Sequence, residues 1–200
     1  MGAGGAIARD SRSFEPPFPI ISIFGSSRVP EAGEAFRQAH ELGSALARAG
    51  FAVATGGYSG VMEAVSWGAA EAGGRVLGVV ARQLPGKANR WVKEEIVVDS
   101  WEQRLMKLIE LGEGYVACAG GTGTLVELAV AWEQMHKGLL PRRPLVVLGS
   151  FWTPIVRQIE AAEESARGAV LAADAVSAVV EILQKGLGKK SGFPRSERKL

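Results

Sequence analysis

The chain has 200 residues, 47% of them apolar and 22% charged, which suits one globular domain with a sizeable core. Its formal charge is +2, but the last sixteen residues hold six Lys/Arg against one Glu, so the remainder sits near −3 and does not read as a nucleic-acid surface. A single cysteine, Cys118, excludes an internal disulfide framework, no apolar run reaches the roughly 18 residues of a membrane span, and the N-terminus has no apolar signal-peptide core; together these favour a cytoplasmic protein away from membranes.

Residues 1–18, rich in Gly, Ser, Arg and Pro, read as a loose arm. From Pro19 the pattern changes. "PIISIF" is a short β-branched run, as a buried strand requires. The helical spacing of Phe36, Ala39, Leu42 and Leu46 follows, with Gly50 as its C-terminal stop. "FAVAT" is the next strand, then the turn "GGYSG" and a helix from about Val61 to Ala72. "RVLGVV" and "EEIVVDS" are further strands, and Trp101 to Leu111 reads as a helix with Trp101, Leu105, Leu108 and Leu111 along its core stripe. Arg104 lies beside that stripe, so spacing leaves its exposure open. "GYVACA" is a fifth strand, Leu125 to His136 a helix, "PLVVLG" a sixth strand, Thr153 to Ala166 a helix and Asp174 to Lys185 the last one. A basic tail occupies 186–200. Strands alternating with helices predict an α/β fold: a Rossmann-like, doubly wound parallel sheet with helices on both faces, in a single domain over 19–185.

Three predicted strands end in small residues: Gly25, Ser26 and Ser27 after the first; Gly56, Gly57 and Gly60 after the second; Gly120, Gly121, Thr122, Gly123 and Thr124 after the fifth. Glycine admits a close backbone approach, and the N–H groups of the following helix attract an anion. In such sheets ligands bind beyond the carboxyl ends of the strands. Three turns on that rim point to a phosphorylated ligand, most strongly at "AGGTGT". The alternative at each is a tight strand-to-helix turn and nothing more, and G-x-G-x-x-G is not present at the first turn. Glu127 has a plain reading too. Thr124 and Glu127 are spaced as a capping box, and spacing alone favours that role. His40, His136 and Cys118 show no metal-ligand spacing, so no metal site is predicted.

"GGTGTLVE" resembles the P-G-G-x-G-T-x-x-E signature of the LONELY GUY (LOG) family, the cytokinin riboside 5′-monophosphate phosphoribohydrolases. "IFGSSR" and "TGGYSGVMEAV" are similar to that family's first and second glycine turns, the latter ending in Met62, and "WEQRLMKLIELGEGYVACAGG" to the segment bearing its arginine. The likeness spans Pro19 to Ile182. It implies a homodimer whose active site both subunits complete. It implies hydrolysis of a nucleoside 5′-monophosphate, AMP or an N6-modified AMP, to free base and ribose 5-phosphate, without cofactor. Gly120, Gly121, Gly123, Thr124 and Glu127 match the signature and Arg104 the motif's arginine. Ala119, Val126, Leu105 and Tyr58 depart from the family's usual residues. Cleavage of a ribosyl C–N bond builds positive charge on the sugar, so a fixed carboxylate at Glu127 would serve it, and Arg104 would neutralise phosphate or fix ribose and carboxylate. The runner-up is a non-catalytic nucleotide or molybdenum-cofactor carrier, which resembles this chain in fold and glycine turns. A DNA-processing relative using the basic tail is a third reading.

Overall fold

The structure is a computed structural model describing residues 18–188. The arm expected at 1–18, Phe18 apart, and nearly all of the basic tail lie outside the described residues. Among the described residues, seven strands form one parallel sheet: β1 (Ile20–Phe24), β2 (Ala52–Thr55), β3 (Val76–Ala81), β4 (Glu94–Val98), β5 (Gly114–Ala117), β6 (Leu145–Leu148) and β7 (Val170–Ala173). Their order is β4-β3-β2-β1-β5-β6-β7. The inner strands are buried on both faces, which is why they read as unbroken apolar runs.

Six α-helices cover the sheet. On one face lie α1 (Glu34–Arg48), α2 (Val61–Glu71) and α6 (Val176–Gly186), through Phe36, Leu42 and Leu46, Val61 and Val65, and Val179 and Leu183. On the other lie α3 (Trp101–Leu111), α4 (Thr122–His136) and α5 (Thr153–Ala162), through Leu105, Leu108, Leu128, Trp132 and Val156. The Rossmann-like, doubly wound architecture expected from the sequence is thus the one observed. The chain builds outward from β1 to β4, then returns to set β5 against the other side of β1, with Phe24 beside Ala117. That reversal opens a crevice above the ends of β1 and β5, the place where open α/β sheets bind ligands.

Three elements differ from the sequence expectation. Strand β7 went unpredicted: its sequence, Val-Leu-Ala-Ala, is short and alanine-rich, and an edge strand with its two middle residues exposed needs no apolar run. The helix expected over Thr153 to Ala166 stops at Ala162, and a 3₁₀ turn at Glu164–Ala166 follows. Helix α4 starts at Thr122 rather than Leu125. Propensity places Gly123 outside a helix, but here the glycine and both threonines form the first turn.

Candidate active site

The early start of α4 decides the chemistry of its end. Gly121 is the N-cap, and no side chain caps the helix. The first intrahelical bond runs from Leu125 N–H to the Gly121 carbonyl, at 3.0 Å. Among the described residues, the N–H groups of Thr122, Gly123 and Thr124 have no hydrogen-bond partner. They stand at the positive end of the helix dipole and face a cavity, which makes an anion seat. A Cβ built on Gly121 or Gly123 would meet nothing within 4 Å. Protein packing therefore does not require glycine at either position, whereas a ligand lying against the backbone would.

The capping box read from Thr124 and Glu127 does not form. Thr124 is the third helical residue, and Glu127 lies one turn further on along the same face. Its carboxyl accepts no hydrogen bond from any described residue.

The cavity measures about 370 Å³ and is lined by Gly25, Ser26 and Ser27 of the first turn, Met62 of α2, Gly121 to Thr124, Arg104 and Glu127. The structure thus brings ten predicted residues together. The other four, Gly56, Gly57, Gly60 and Gly120, stand behind it. Gly60, at φ 66°, packs on the Ser26 carbonyl, which also accepts from Val61 N–H at 2.9 Å, so the first two turns are stitched together. Gly56 makes room for Arg104: a Cβ there would lie 1.3 Å from Nη2. Gly120 does the same for the Thr124 side chain. Arg28, Tyr58, Leu84 and Trp101 also line the cavity, and the motif reading did not select them as site residues. Arg28, Tyr58 and Leu84 come from three connections and Trp101 from the start of α3; the first two sit in turns already singled out, whereas no spacing in the chain announces Leu84 or Trp101.

Arg104, whose exposure the sequence left open, is buried. Its Nε donates to the Val79 carbonyl at 2.9 Å, its Nη2 to the Met62 thioether at 3.5 Å, and its Cζ sits 5.4 Å from the centre of the Tyr58 ring. Nη1 approaches a Glu127 carboxylate oxygen at 3.7 Å, an ion pair too long for a hydrogen bond. Burial dominates the electrostatics of both. It draws the guanidinium below its ordinary value, against the pull of Glu127 and Tyr58, though arginine keeps its charge. It pushes the Glu127 carboxyl up to about 7, with Arg104 drawing it back. A carboxyl balanced near neutrality, beside a fixed cation and an anion seat, is suited to general acid–base or electrostatic work.

Other reactive groups lie elsewhere. Burial raises the Cys118 thiol to about 12, so it is not a thiolate nucleophile. His40 pairs with Glu71 at 3.0 Å and His136 with Glu163 at 3.1 Å. Among the described residues, no three His, Cys, Asp or Glu side chains gather as metal ligands, and no helix is long and apolar enough to cross a membrane.

A family model described as the SLOG cluster4 family matches residues 18–180. The cytokinin riboside 5′-monophosphate phosphoribohydrolase of Rhodococcoides fascians is 31% identical over 157 residues, covering 75% of this chain and 78% of that protein. Among solved structures, the molybdenum cofactor carrier protein of Chlamydomonas reinhardtii superposes with a TM-score of 0.71 at 28% identity, covering 86% of this chain and 99% of the other. The molybdenum cofactor binding protein of Rippkaea orientalis gives 0.71 at 25% identity, with 86% and 98% covered.

Proposed function

This chain belongs to the SLOG cluster4 family, with the likeness to LOG proteins borne out by its phosphoribohydrolase relatives, and we propose that it hydrolyses the N-glycosidic bond of a nucleoside 5′-monophosphate, AMP or an N6-modified AMP, to free base and ribose 5-phosphate. The observation that carries this reading is the pairing of a buried Arg104 with Glu127, whose side chain is 13% exposed, 3.7 Å apart, with three unpartnered helix N–H groups in one cavity. The phosphate is held by Thr122, Gly123 and Thr124 N–H, with Ser26 and Ser27 also lining the cavity. The ribose then lies beside Glu127, one helical turn along. As the C1′–N bond breaks, its electron pair leaves with the base and positive charge grows on the sugar. The Glu127 carboxylate stabilises that charge and takes a proton from the water that adds to C1′; the base gains a proton in turn. Arg104 supplies a counter-charge to the carboxylate and offers its remaining N–H groups to the ligand. The LOG resemblance implies a homodimer with a shared site, and exposed Met106 on α3 and Leu125 on α4 are apolar side chains open to such a contact.

The second reading is a non-catalytic carrier, supported by the likeness to molybdenum cofactor proteins. The same N–H groups would hold the phosphate of such a cofactor. Incubation with a panel of nucleoside monophosphates, scored for base release by chromatography, separates the two. Release of base from at least one supports the hydrolase, and binding without release from any supports the carrier.

A further inference from the structure

Arg104 must present Nη1 to the cavity, yet its long side chain has four rotatable bonds and the Glu127 contact is too loose to orient it. What orients it comes from elsewhere. The Val79 carbonyl holds Nε at 2.9 Å, and the Met62 thioether holds Nη2 at 3.5 Å. The remaining restraint on the guanidinium plane is the face of Tyr58, 5.4 Å from Cζ to ring centre, within the range of a cation–π contact.

Tyr58 is itself held from both ends. Its hydroxyl accepts from Ala81 N–H at 3.2 Å and lies 3.4 Å from the Ala81 carbonyl, to which it donates. Its backbone sits in a turn braced by Asn89, whose Nδ2 donates to the carbonyls of Gly57 at 3.0 Å and Tyr58 at 2.9 Å, and whose N–H donates to Gly57 at 2.7 Å. Asn89 belongs to the connection between β3 and β4. The turn after β2 is therefore anchored to the next connection along the sheet, and a ring fixed to that frame meets the arginine.

We infer that Tyr58 is a positioning residue of the site, its ring face holding the Arg104 guanidinium so that Nη1 stays aimed at Glu127 and the ligand. The inference rests on the hydrolase reading for its kinetic consequences, but the geometry of the Tyr58–Arg104–Glu127 chain can be read without turnover. Burial is the larger influence on the Glu127 carboxyl and Arg104 the opposing one, so moving Arg104 away at unchanged burial raises the Glu127 midpoint.

Two variants isolate the ring. Tyr58→Phe and Tyr58→Leu both lose the hydroxyl and its bonds to Ala81, so any difference between them belongs to the aromatic face. Base release and the Glu127 carboxyl titration, followed by carbon-13 NMR, are measured in both and in the unsubstituted protein, with melting temperatures alongside. The expected result is a kcat about ten- to thirtyfold lower for Tyr58→Leu, with KM within about threefold. Its Glu127 midpoint shifts upward, and Tyr58→Phe, which keeps the ring but loses its anchor to Ala81, falls between Tyr58→Leu and the parent in both readouts. Parental turnover and titration in Tyr58→Leu would overturn the inference, as would a Tyr58→Phe no better than Tyr58→Leu. If the unsubstituted protein releases no base, the hydrolase reading fails. The titrations then decide the positioning role alone, an upward shift larger in Tyr58→Leu than in Tyr58→Phe supporting it and equal midpoints refuting it.

Discussion

Replacing Glu127 with glutamine is expected to make the protein more stable and nearly inactive. Burial pushes this carboxyl from 4.5 to about 7 despite the opposing pull of Arg104, so the folded state favours the neutral form. A raised carboxyl value leaves folding unburdened below the unfolded value; the burden grows as pH rises and is complete above about 7. A displacement of that size corresponds to about 3 kcal/mol at the alkaline end. Glutamine keeps the size and cannot ionise, so it stands in for the neutral carboxyl, and the value of about 7 already includes the attraction of Arg104. The expected effect is up to about 3 kcal/mol of added stability at pH 8, shrinking toward zero at pH 5. For a chain of this length that raises the melting midpoint by several degrees at pH 8 only, at about 2–4 °C per kcal/mol. Turnover falls roughly 10²–10³-fold, the scale of losing a preorganised electrostatic group. Paired thermal melts at pH 5 and 8, with base release at pH 8, test both halves. A variant that melts below the parent at pH 8 would refute the burial argument, and one that turns over at the parental rate would refute the catalytic role.

The same ionisation gives kcat/KM an acidic limb: it rises about tenfold per pH unit below about 7 and levels off above, and initial rates of base release between pH 6 and 9 measure it. Gly123→Ala leaves the melting temperature unchanged or slightly higher, since its Cβ meets no protein atom within 4 Å and alanine favours a helix, but raises KM at least about tenfold by blocking the seat. Gly56→Ala places a Cβ 1.3 Å from Arg104 Nη2 and abolishes turnover by displacing the guanidinium; kinetics and melting of the two glycine variants together show whether each acts as assigned. Adenosine is expected to be at least about a hundredfold poorer than AMP in kcat/KM, because it forfeits several charge-assisted bonds; equal turnover would remove the phosphate seat. Light scattering at micromolar concentration should give twice the chain mass if α3 and α4 meet a second copy.

The order of the first six strands and of the helices was legible in the sequence because buried parallel strands and amphipathic helices carry different apolar periods, and the three small-residue turns marked the rim of the sheet where the cavity lies. Arg104 and Glu127 were singled out as well, through the resemblance of their segments to the LOG motifs. What they do was not legible. Thr124 and Glu127 are spaced as a cap, and only the start of α4 at Thr122, two residues before Thr124, turns that pair into a wall of the cavity. Arg104 reads as one more helix residue until β3 and the turn after β2 close around it. Arg28, Tyr58 and Leu84, from three connections, and Trp101, at the start of α3, reach the same cavity. Local spacing determines which face of an element a side chain occupies. Which elements meet there, and therefore whether a carboxyl is solvated or desolvated to about 7, is decided by the packing of the sheet, because burial and charge depend on neighbours that sequence distance does not reveal.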